Sequence, residues 1–176
     1  MIEPTTARTP LEANAEAAAK MRRRMLSPML MRGFFFAKLP LALIAGLRIR
    51  ELTPERCVTT VPYGWLTTNP FRSTYFAALS MAAELSTGAL AMAAVETAPA
   101  PVSMLITGLA ATFGKKATGL TSFTCSDGTK LSEGVARAVA TGEPVTVEAL
   151  TVGTAPDGTE VARFTFTWSF KVKTRR

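Results

Sequence analysis

The chain has 176 residues, 48% of them hydrophobic and 19% charged, which is enough apolar material for one packed domain and too much for wholesale disorder. Its 20 Lys and Arg outnumber 13 Asp and Glu, for a formal charge of +7, and it contains no histidine. That excludes Ser-His-Asp and Cys-His catalysis, and two cysteines exclude a four-cysteine zinc site, so any chemistry falls to carboxylates, hydroxyls, lysines, backbone amides or a bound group.

Met1 to Ala19 carries Glu3, Glu12 and Glu16 and does not read as a signal peptide. The first ten residues read as a mobile tail. Leu11 to Leu26, Ala-rich and free of Gly and Pro, reads as a helix. Arg22, Arg23 and Arg24 precede an apolar stretch interrupted by Pro28 and Arg32. Phe34 to Leu47 is apolar apart from Lys38, with Pro40 in its middle, and fourteen residues are too few to span a bilayer. It reads as a helix-turn element covering part of the core; the other reading is an amphipathic segment touching a membrane beside a basic cluster.

Leu47 to Leu52 and Arg56 to Pro62 read as short strands about the turn Thr53-Pro54-Glu55. The loop Tyr63 to Arg72 follows, with Ser73 as the expected N-cap of a long helix running to Val95. That helix carries one charge, Glu84, and its apolar residues point all round, so protein should wrap it. Its alanines, hydroxyls and glutamate make it a poor transmembrane span. Beyond Pro99 and Pro101, Ser103 to Phe113 and Thr118 to Cys125 read as strands joined by Gly114-Lys115-Lys116-Ala117. Leu131, Val135, Ala138 and Val139 have helical spacing, with Gly142 at the C-terminal cap. Val145 to Ala149 alternates as a strand does, and Pro156-Asp157-Gly158 is a hairpin turn. In the last strand Ala162, Phe164, Phe166, Trp168, Phe170 and Val172 alternate with polar residues, the mark of an antiparallel sheet with one buried face. The sum is an α+β domain: a curved, meander-like antiparallel sheet around one apolar helix. Cys57 and Cys125, far apart in sequence, read as packed thiols of a reducing compartment, and the expected location is cytoplasmic.

The segment Asn69-Pro70-Phe71-Arg72-Ser73-Thr74-Tyr75-Phe76-Ala77, continuing to Glu84, resembles the active-site stretch of hotdog-fold acyl-CoA thioesterases of the phenylacetate-pathway type. In those an Asn is followed six residues on by His-Gly-Gly at the start of the central helix, and an acid follows nine residues after the His. Asn69, Tyr75 and Glu84 keep that spacing, with Tyr75-Phe76-Ala77 in place of His-Gly-Gly. An uncharacterised thioesterase-like branch of the superfamily is also similar, through Asn69-Pro70-Phe71, Ala83-Glu84, Lys115-Lys116-Ala117 and Trp168-Ser169-Phe170-Lys171. The resemblance runs from about Gly46 to Lys173. It implies a hotdog domain over 47–176, preceded by an N-terminal tail and helical extension over 1–46; the apolar Phe34 to Leu47 suggests that this extension caps the acyl tunnel.

Glu84 is the centre of the functional reading. A carboxylate in mid-helix on an apolar element must be paired, hydrated or neutralised, and burial raises its pKa toward that of a useful base. A structural ion pair and a solvated facet are the other readings. The resemblance implies Glu84 as base or nucleophile, and the N–H of Phe76 or Ala77 at the helix start as oxyanion donors. Asn69 would orient the loop, water or thioester, or simply make a turn before Pro70. Tyr75 would donate a hydrogen bond where the family has His, or pack. Arg72, Ser73, Ser103, Lys115 and Lys116 form the expected substrate-binding set, the three cations for the phosphates of coenzyme A; their plainer roles are turns, strand entry and solvated charge. Phe76 and Glu84 lie eight residues apart, about 12 Å along one helix, so donor and carboxylate must come from two copies. The expected assembly is a homodimer, with a tetramer as the larger form. No metal and no cofactor is expected, coenzyme A entering as part of the substrate, an acyl-CoA or acyl-carrier thioester. No nucleic-acid motif appears, since the aromatics alternate into a core face. The alternative function is a non-catalytic hotdog module that binds a fatty acyl chain or lipid.

Overall fold

The computed structural model describes residues 10–173. Three helices open the chain: α1 (Pro10–Leu26), α2 (Pro28–Lys38) and α3 (Pro40–Ile44). Each begins at a proline, whose missing N–H is no loss at a first helical position and whose φ is already set. The strands β1 (Arg48–Leu52) and β2 (Cys57–Val61) come next, then α4 (Phe76–Glu96), β3 (Val102–Phe113) and β4 (Thr121–Cys125). Helix α5 (Gly128–Thr141), β5 (Val145–Thr154) and β6 (Glu160–Val172) complete the order. Helix α5 ends as expected at Gly142, whose φ of 73° is left-handed.

The six strands form one curved antiparallel sheet in the order β1-β2-β4-β5-β6-β3, wrapped around α4, which is the hotdog arrangement. The sheet departs from a meander. Strand β3 pairs with β6 at one edge, while β4 lies across the sheet between β2 and β5. Gly114-Lys115-Lys116-Ala117 therefore joins strands that are not neighbours. Only the pairing with β6, some 60 residues on, decides where β3 goes, and nothing local in β3 encodes it. Within β3 the register slips between Ile106 and Gly108, leaving Thr107 as the extra residue of a bulge.

The alternation read in β6 holds. Phe164, Phe166, Trp168 and Phe170 are buried and face α4 and α5 with Phe123 of β4. Rings of Phe123, Phe164 and Phe166 meet at 5.6 and 6.1 Å. Cys57 and Cys125 stand opposite each other in the β2–β4 register, both fully buried, so the fold brings together two thiols that the sequence separates. Burial pushes the Cys57 thiol up to about 12, with Cys125 and Glu51 adding to the rise, and the Cys125 thiol up to about 11 against the opposing backbone N–H of Asp127. Both are free thiols.

Helix α4 is buried along most of its length, and its internal hydroxyls all find partners. Thr59 of β2 donates to the carbonyl of Ala82 at 2.6 Å. Ser86 meets Thr151 of β5 at 2.8 Å, and the indole N–H of Trp168 donates to Thr87 at 3.1 Å. The inner side of the extension joins the same core through Met25, Met31, Phe35, Ala42 and Ala45, so the core-covering reading of this element is correct. The tail read at the start falls mostly outside the described residues.

Candidate active site

Helix α4 begins later than expected. Its N-cap is Tyr75, with extended φ and ψ, and Ser73 lies two residues upstream. Serine is the better capping residue, but the Ser73 side chain is already engaged. Asn69 Oδ1 accepts the N–H of Phe71 at 3.0 Å and of Ser73 at 3.2 Å, and the Asn69 amide contacts Ser73 Oγ at 3.1 Å. Asn69 therefore makes a closed turn over Asn69–Ser73, the structural reading of that residue. The turn holds Arg72 at a φ of 57°, a left-handed conformation that costs a side-chain-bearing residue and favours glycine. Thr74 ties the loop down, its N–H and hydroxyl both donating to the Ala117 carbonyl, and Tyr75 N–H donates to Thr67.

Below this loop lies a cavity of about 590 Å³. Asn69, Ser73, Tyr75 and Phe76 line one side of it and Lys115 and Lys116 another, so six of the expected site residues meet there. Phe71, Leu79 and Phe113 supply apolar walls that sequence reasoning did not pick out. Lys116 Nζ donates to the Phe71 carbonyl at 3.2 Å. The first acceptor within the helix, the Tyr75 carbonyl, is taken by Ala78 and Leu79. The N–H groups of Phe76 and Ala77 precede that ladder and point out of the helix start with its positive dipole. Phe76 is itself half exposed, its ring 5.0 Å from Tyr75.

Four expected residues are not among the cavity's walls: Ala77 and Glu84 of α4, and Arg72 and Ser103, which stand apart from it. Arg72 is exposed and is not a wall of the cavity. Ser103 opens β3, its hydroxyl donating to the Lys171 carbonyl, while the cavity lies at the Phe113 end of that strand. Ten residues of strand, about 33 Å, separate the two ends.

Glu84 sits two turns into α4 on the helix's partly open side, with Ala77, Ser80 and Met81. Its carboxylate makes no hydrogen bond and no ion pair among the described residues, so the ion-pair reading is not what the structure holds. Burial alone pushes its carboxyl above the ordinary carboxylate range. The carboxylate lies over Gly88: a Cβ built there would stand 2.8 Å from Glu84 Oε1 and 3.5 Å from the Trp168 ring. Gly88 thus leaves the space that the carboxylate occupies, and Trp168 walls it on the sheet side. A glycine four residues after a lone helical acid is the signal in the sequence, since those positions share a face. Eight residues of helix still separate Glu84 from Phe76, about 12 Å.

Comparison with known proteins supports the same architecture. A probable thioesterase of unknown function from Pseudomonas aeruginosa is 19% identical, with a TM-score of 0.68 over 85% of this chain and 99% of that one. A putative thioesterase from Shewanella oneidensis is 9% identical, with a TM-score of 0.68 over 88% and 99%. A thioesterase from Haemophilus influenzae is 9% identical, with a TM-score of 0.62 over 85% and 94%. At these identities the likeness is one of fold. No curated protein matches the chain. Residues 28–170 match a family described as a domain of unknown function, DUF4442. That span takes in α2, α3, Glu84, the cavity and all but the end of β6, and the chain belongs to the DUF4442 family.

Proposed function

We propose that the chain is a homodimeric thioester hydrolase acting on an acyl-CoA or acyl-carrier thioester, with Glu84 as its base. The observation that carries this reading is the Glu84 carboxylate: unpartnered, raised in pKa by burial, and seated over Gly88 on a fold shared with proteins named thioesterases. A carboxylate spent on a structural ion pair would have a partner.

In the reaction Glu84 takes a proton from water as the water oxygen attacks the thioester carbonyl carbon. The N–H groups of Phe76 and Ala77 from the second copy receive the developing oxyanion. The tetrahedral intermediate collapses, the C–S bond breaks, and the proton on Glu84 passes to the leaving thiolate. Free acid and thiol depart. Direct attack by Glu84, through an anhydride that water then opens, uses the same groups. Lys115 and Lys116 face the cavity at the helix start and suit the phosphates of the carrier. The expected site of action is the cytoplasm.

Support for the dimer comes from the sheet edge. Strand β3 is twelve residues long, uncharged and unpaired on its outer side, with Leu109 55% and Phe113 51% exposed. An edge of that length and apolarity invites a second strand.

The test is thiol release from a panel of short to long acyl-CoAs. Glu84→Gln is expected to lower turnover by about 100-fold or more with the oligomer intact. Wild-type turnover should fall on the acid side as Glu84 becomes protonated, at a pH above the ordinary carboxylate range. The second reading, an acyl- or lipid-binding module, is favoured by the Phe76 side chain, which lines the cavity at the helix start where the resembling family has glycine. Tight acyl-CoA binding with no turnover at any chain length would establish it instead.

A further inference from the structure

The N-terminal extension has two sides, and only one is used by the core. On the other, Met29 is 81% exposed, Phe36 76%, Leu41 68% and Ile44 54%. Met29 and Phe36 are seven residues apart and share one face of α2; Leu41 and Ile44, three apart, share one face of α3. Single exposed apolar residues are ordinary, but a run of them across two consecutive helices is a patch.

The charge around this patch is one-sided. Residues 17–50 contain eight Lys and Arg and no Asp or Glu. The other 142 residues hold 12 Lys and Arg against 13 Asp and Glu, a net charge of −1. The whole positive excess of the protein is therefore concentrated here. The ion pairs seen among the described residues, Arg56 with Glu51 and Arg163 with Glu160, lie outside this stretch. The cations are interleaved with the apolar residues. Arg24 shares a cavity of about 530 Å³ with Leu30 and Phe34, where Glu96 of α4 is the one carboxylate. Arg32, Arg48 and Arg50 share one of about 250 Å³ with Leu26 and Leu43.

A second copy of the chain is a poor occupant, since it would set eight cations against eight. Helices of eleven and five residues are too short to cross a bilayer. An anionic bilayer surface answers both features at once: headgroups take the cations, and the apolar side chains enter the acyl boundary. We infer that the outer face of α2 and α3, rimmed by Arg24 and Arg32, docks flat on an anionic lipid surface. This stands independently of the thioester reading.

The experiment is co-sedimentation of the full chain with vesicles of phosphatidylcholine containing about 30% phosphatidylglycerol, against phosphatidylcholine alone. Binding is expected on the anionic vesicles, at least about 10-fold tighter than on the neutral ones and weakened by salt. Arg24→Gln with Arg32→Gln should weaken it by about 25-fold, roughly five-fold per charge. Phe36→Ser with Leu41→Ser should weaken it by about 10-fold or more, with circular dichroism unchanged. Failure to bind anionic vesicles at low salt overturns the inference. So does equal binding to both vesicles, or binding undiminished by Phe36→Ser with Leu41→Ser. Self-association abolished by those two substitutions, without vesicle binding, would assign the face to a second copy instead.

Discussion

Glu84 shows at the scale of one residue how the proposed base is set against stability. Burial raises its carboxyl above the ordinary carboxylate range, and no partner compensates. The folded value then exceeds the unfolded one, so between the two the folded chain binds more protons, and stability falls as pH rises through that window. At neutral pH the wild type carries the cost of an ionised, unpartnered carboxylate. Glu84→Gln removes that cost. The variant should unfold at pH 8 at the same temperature as wild type or up to about 2–4 °C above it, the size of a 1 kcal/mol change at this length. The gap should close once the pH is low enough to protonate Glu84 in both states. A variant less stable than wild type at pH 8 would reveal a stabilising contact and count against the reading. Glu84 stood out in the sequence because a lone charge on an apolar helix has few explanations. The cap did not: Ser73 has the better propensity, but Asn69 had already claimed its hydroxyl, a competition decided by the fold of the turn.

At the scale of elements, α4 and its surroundings divide what pattern can and cannot supply. The period-2 run of β6 and the all-round apolar run of α4 were readable because each is local. The place of β3 was not, because its partner β6 lies some 60 residues along the chain. Nor did the sequence reading use the pairing of Glu84 with Gly88 along α4. Gly88→Ala tests that pairing. Alanine gains up to about 1 kcal/mol over glycine in a helix interior, and the only close atom is the mobile end of the Glu84 side chain. The variant is expected to be as stable as wild type or more so. Its thiol release should nevertheless fall by about 10-fold, because the carboxylate must leave its seat beside Trp168. Unchanged turnover would mean that this position of the carboxylate is not the active one.

At the scale of the molecule, the sheet ends in a long uncharged strand and the helical extension in a basic, apolar face, on separate elements. Leu109→Lys places a charge on the β3 edge. It is expected to convert dimer to monomer by light scattering and to remove activity, leaving the vesicle binding of α2 and α3 intact. An active monomer would sink the shared site. One feature inside the molecule sets how sharply any of these sites can be defined. Burial drives α4 into the core with little preference, Glu84 apart, for which way it is turned, because its other residues are apolar on all sides. Directional bonds break that degeneracy: Thr59 to the Ala82 carbonyl, Ser86 to Thr151, and Trp168 to Thr87 reach the helix from β2, β5 and β6. They act as the key in a shaft. Removing one hydroxyl from each of these bonds, Thr59→Val, Ser86→Ala and Thr87→Val, should leave helix content by far-ultraviolet circular dichroism near wild type. The near-ultraviolet signal of Trp168 should weaken and the unfolding transition broaden, as a core loses its single arrangement. The aim of Glu84 would be lost with it, so that a few buried hydroxyls would decide where the proposed base points.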